Sequence, residues 1–111
     1  MKIELKLNAD TINAAARILE QVYDLPAPLG QNEKLIRSIA YDVAETMLSK
    51  QNSVRKKLSL FDSKKKHKIS FKYHEAFALY NIINDLNYIF PDDYTRIILS
   101  KLVSEIHQKL V

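Results

Sequence analysis

Lys2-Ile-Glu-Leu-Lys-Leu7 and Lys68-Ile-Ser-Phe-Lys-Tyr73 decide the fold of this chain. In each, apolar and polar residues alternate with a period of two. Side chains on an extended strand point to opposite faces in turn, so the period predicts two short strands, each with one buried face. The predicted inner faces are Ile3, Leu5 and Leu7 in one and Ile69, Phe71 and Tyr73 in the other. The outer faces are Lys2, Glu4 and Lys6, and Lys68, Ser70 and Lys72. An isolated two-stranded ribbon is marginal in water, so these strands must pair and lie under a covering layer. Full burial of one such apolar side chain stabilises the fold by about 1.5–3 kcal/mol, which makes the inner face important to stability.

The covering layer comes from four helix-period stripes. Asp10 is placed to cap the first, whose apolar positions are Ile12, Ala15, Ala16, Leu19, Val22 and Tyr23. Leu25-Pro-Ala-Pro-Leu-Gly30 ends it. Asn32 then caps a second helix with Leu35, Ile36, Ile39, Ala40, Val43, Met47 and Leu48. Lys50-Gln-Asn-Ser53 interrupts that stripe, and Val54, Leu58 and Phe61 resume it. The pattern therefore allows an end near residue 50 or near residue 60. A third stripe runs through Phe77, Tyr80, Ile83, Leu86 and Phe90. Pro91-Asp-Asp93 stops it and opens the fourth, Ile98, Leu99, Leu102, Val103, Ile106 and Leu110. Proline and acids suit a first helical turn.

The expected class is thus mainly α within α+β: four amphipathic helices and a two-stranded ribbon in one domain, residues 1–111. The halves 1–50 and 67–111 read alike, joined by a basic segment, 51–66. Lys2–Leu7 sits over Lys68–Tyr73 at an offset of 66 positions, and each strand is followed by a helix, a proline-containing break and a second helix. This points to an internal β-α-α duplication, with chance similarity between amphipathic segments as the alternative.

Composition excludes several functions. Without cysteine there is no disulfide, thiolate zinc site or thiol nucleophile. With Gly30 as the sole glycine, neither a P-loop nor a dinucleotide fingerprint can be built. His67, His74 and His107 lack metal-ligand spacing, and no serine sits in a glycine-flanked turn. A non-catalytic protein with no cofactor and no metal is expected. No apolar run is long enough for a signal peptide or a membrane span, so a cytoplasmic location is expected.

Charge is uneven. Residues 50–72 hold nine Lys or Arg against Asp62, while the rest of the chain carries eight basic and twelve acidic residues. The candidate contacts with DNA or another polyanion are Lys2, Lys6, Arg55, Lys56, Lys57, Lys64, Lys65, Lys66, Lys68, Ser70 and Lys72. Lysine on the exposed side of a strand also has a structural use, since it discourages edge-to-edge aggregation. The competing reading is a protein-interaction module, or a homo-oligomer, using Val54, Leu58 and Phe61.

With its paired strands and β-α-α halves, the chain resembles the ribbon-helix-helix DNA-binding family. The resemblance implies an antiparallel ribbon in the major groove, with Lys2, Glu4, Lys6, Lys68, Ser70 and Lys72 directed at bases. It also implies a phosphate held at the start of the second helix, Gly30-Gln-Asn-Glu33. The chain departs from the family pattern in its long first connector, in Asp92 and Asp93 at the matching helix start, and in fusing two halves that are usually separate subunits.

Overall fold

The computed structural model describes residues 2–57 and 65–111. In chain order these form strand β1 (Lys2–Leu7), helix α1 (Ala9–Glu20), a 3-10 turn (Gln21–Asp24) and helix α2 (Gln31–Lys57). They continue as strand β2 (His67–Lys72), helix α3 (Tyr73–Leu86), a second 3-10 turn (Asn87–Ile89) and helix α4 (Asp93–Leu110). The mainly α, α+β class is as the periodicity predicts.

The strands pair antiparallel, with Ile3 opposite Phe71, Glu4 opposite Ser70 and Leu5 opposite Ile69. Their alternation gives one dry and one wet face. Leu5 is fully buried and Phe71 is 1% exposed, whereas the outer lysines and Glu4 are exposed. The register is unchanged when the halves are exchanged. At the offset of 66, Glu4 corresponds to Ser70 and the two are paired, so the exchange axis passes between them. Packing follows the same rule. α1 lies on α2 as α3 lies on α4, α1 meets α4 as α3 meets α2, and α4 flanks β1 as α2 flanks β2. One buried cluster takes residues from both halves, including Ile12, Leu19, Met47, Leu79, Ile83 and Ile106.

Several boundaries differ from the sequence reading. Asn8, not Asp10, caps α1. Its Oδ1 accepts from the Thr11 N–H at 2.9 Å, while Asp10 stands exposed in the first turn. α2 begins at Gln31, so Asn32 lies within its first turn. Gly30 accepts the first helical bond, from the Lys34 N–H, at 2.9 Å. α2 then runs through Lys50–Ser53 and ends at Lys57. The polar interruption is a buried amide contact rather than a stop. Gln51 is 7% exposed, and its Nε2 donates to Asn13 Oδ1 at 2.9 Å.

β2 ends at Lys72, and Tyr73 opens α3 instead of completing the inner face. Its half-exposed ring sends its hydroxyl to the Leu110 carbonyl at 3.2 Å. Leu35 and Phe77, both placed on apolar stripes, are exposed as well. α4 starts at Asp93, with Asp92 capping it by accepting from the Thr95 N–H at 2.9 Å, so Pro91 lies just outside the helix. The Thr95 hydroxyl, and then that backbone bond, hold the Asp92 carboxyl below the usual carboxylate range.

Candidate nucleic-acid interface

The outer face of the ribbon gathers five of the sequence candidates: Lys2, Lys6, Lys68, Ser70 and Lys72. Antiparallel register sets Lys2 directly opposite Lys72 and Lys6 directly opposite Lys68. Like charges in directly opposed positions destabilise a ribbon. Here this happens twice on a face of three residue pairs. Glu4, in the middle row, offsets part of it. Its Oε1 lies 3.0 Å from the Lys68 ammonium, diagonally across the ribbon. Hydrogen bonding to Lys68, and then its positive charge, lowers the Glu4 carboxyl below its ordinary value. Among the described residues, no carboxylate lies within ion-pair distance of Lys2, Lys6 or Lys72.

The ribbon is held from both sides. The Lys109 ammonium on α4 donates to the Glu4 carbonyl, closing the outer edge of β1. At the far end of β2, Glu75 accepts from the Lys72 N–H at 2.8 Å and ties the strand into the first turn of α3. This is the returning half of a capping box. Lysine has no acceptor with which to make the other half.

The remaining candidates divide. Lys65 and Lys66 are exposed immediately before β2. Arg55 and Lys56 are exposed on the last turns of α2. The Gln51–Asn13 bond docks that part of the helix near the start of α1, beside the end of the ribbon where Leu7 meets His67. Lys57 is the last residue of α2, and Lys64 lies outside the described residues. The described part of that charge, Lys65 and Lys66 before β2 with Arg55 and Lys56 on the end of α2, lies toward the end of the ribbon where β2 begins.

The helix start Gly30–Glu33 is placed elsewhere. Glu33, Ile36 and Arg37 line a cavity with Asn81, Asp85 and Leu86, near the C-terminal end of α3. Asp85 is thirteen residues beyond β2, about 20 Å along a helix that leads away from the ribbon. The Glu33 carboxylate also accepts from the Leu29 N–H at 3.0 Å. This helix start is not part of the lysine-bearing face.

For the competing interaction surface, Val54 is 5% exposed and belongs to the core, so it offers nothing to a partner. Leu58 and Phe61 lie outside the described residues. No described group of three or more His, Asp or Glu residues is arranged to hold a metal ion. No described helix is long and apolar enough to cross a membrane.

Lys101 is a residue the sequence pattern gave no reason to select. It projects from α4, some thirty residues past β2, yet it lines a cavity of ≈ 340 Å³ together with Lys6 and Lys66. Only the packing of α4 along β1 brings the three together.

No protein-family model matches this chain, and no curated protein or solved structure matches it.

Proposed function

We propose that this chain is a non-catalytic binding module that presents the outer face of its ribbon to duplex DNA. The observation that carries this reading is the pair of directly opposed lysine rows, Lys2 with Lys72 and Lys6 with Lys68. Such rows work against the fold, and a polyanion placed over them turns the repulsion into attraction. A lysine-rich face that served only to prevent aggregation would gain nothing from this register.

The major groove admits a two-stranded ribbon. In that position the lysines reach phosphates or the O6 and N7 acceptors of guanine, Ser70 bonds either kind of edge group, and Glu4 can accept from a cytosine amino group. Phosphate attraction would supply most of the affinity and therefore make it salt-dependent. Exchange symmetry in the ribbon favours a nearly palindromic site. The Glu4–Ser70 pair on the axis breaks that symmetry at its centre.

A fluorescence titration with labelled duplex at two salt concentrations tests the proposal. Four phosphate contacts give a slope of about −3.6 in log affinity against log salt, a loss of roughly 100-fold between about 50 and 200 mM. Absence of binding at the lower concentration would end the proposal.

A further inference from the structure

The cavity lined by Lys6, Lys66 and Lys101 lies where the end of β1 meets the flank of α4. Its floor is apolar: Leu7 and Leu102 are 3% and 2% exposed, and Ile98 packs against the core beside them. Three lysines thus line a groove that has buried apolar residues beneath it. Among the described residues, none of the three has a carboxylate within ion-pair distance. The acid on the cavity wall, Glu105, lies 3.9 Å from the Lys109 ammonium on its own helix. With Glu105 set against Lys109, the three lysines leave the groove with an excess of positive charge, and such a cleft concentrates counter-ions. We infer that this groove binds a phosphate group.

The symmetry of the fold sharpens the inference. Second helices correspond at an offset of 63 positions, which places Ser38 of α2 where α4 has Lys101. Among the described residues, the lysine that α4 contributes to the groove therefore has no counterpart at the matching position of α2. If the phosphate belongs to a DNA backbone, it lies beside the strand read by the ribbon and fixes which way round the chain sits on a nearly symmetric site. In that form the inference rests on the DNA reading; as a site for a free phosphate compound it does not.

Lys101→Gln, which leaves the ribbon intact, is the test variant, with thermal unfolding as the folding control. In a duplex titration we expect a roughly 5- to 10-fold loss of affinity near 100 mM salt and a salt slope shallower by about 0.9. In parallel, inorganic phosphate and a nucleoside monophosphate are titrated into the isotopically labelled full chain. Saturable shifts of the Leu7, Asn8 and Thr11 amides, lost in Lys101→Gln, would support the groove as a site for a small phosphate compound even if duplex affinity were unchanged. An unchanged duplex affinity together with no saturable shift overturns the inference. If Lys72→Gln still weakened duplex binding in that case, the ribbon reading would survive it. If the wild type bound no duplex, the DNA proposal would fall, and the phosphate titration alone would decide the groove.

Discussion

The two faces of the ribbon are made by alternate residues of the same twelve positions, yet they serve different ends. Inward, Leu5, Ile69 and Phe71 are buried under the helices and contribute stability. Outward, four lysines oppose one another in like-charged pairs that detract from it. A ribbon shaped by stability alone would put opposite charges in those rows, as Glu4 and Lys68 do on the diagonal. On the proposed reading the contrast separates folding from binding within one element, because the two roles fall on alternate residues.

The largest effect is expected on the inner face. Phe71→Ala removes a 1% exposed aromatic ring from beneath the helices and should cost about 3–5 kcal/mol in denaturant unfolding. A loss under 1 kcal/mol would mean that the strands are not a structural layer. Next comes the amide contact that carries α2 past its polar interruption. Gln51→Ala should cost about 1–3 kcal/mol by stranding Asn13 and opening space in the core.

On the outer face the sign reverses. Lys72→Glu places an acid opposite Lys2 and should stabilise the fold by roughly 0.2–1 kcal/mol. A destabilisation of that size would show that the opposed lysines do not repel in the folded state.

The pH dependence sharpens the same contrast. The carboxyl of Glu4 is held below its ordinary range by Lys68, so its contribution to stability is present above that ordinary range and is lost as pH falls through its folded value. Protonation also releases Lys68, so duplex affinity should rise over the window in which stability falls. Glu4→Gln should remove the Glu4 part of both trends, seen as a flatter pH profile in thermal unfolding and in DNA titration. The smallest effect is expected far from the ribbon. At the start of α2, Gly30 has open space where a Cβ would stand, and Gly30→Ser supplies a capping hydroxyl worth about 0.3 kcal/mol with no change in DNA binding.

Much of this fold is legible in the sequence because strand and helix periods are local signals. Ile3, Leu5, Ile69 and Phe71 announce their buried faces two residues at a time, and the stripes of α1 and α4 are equally plain. What stays hidden depends on neighbours distant in the chain. Lys50–Ser53 reads as a break until Asn13 is seen beside Gln51. Tyr73 continues the alternation of β2, but Glu75 turns the backbone into a helix one residue earlier. Asn8 and Asp10 are equally able caps by residue type, and it is Asn8, with its extended backbone, that takes the Thr11 N–H. The ribbon part of the candidate surface is readable from alternation alone. The groove is not, because Lys101 carries no mark of its position until α4 lies along β1.

The most direct test is duplex affinity after charge reversal at both Lys68 and Lys72, two exposed positions on the outer ribbon face. We predict that the double variant keeps the wild-type circular dichroism spectrum and unfolds cooperatively, while its affinity near 50 mM salt falls by more than about 100-fold as two favourable charges are replaced by two unfavourable ones. A correctly folded double variant that binds duplex as tightly as the wild type would contradict the account.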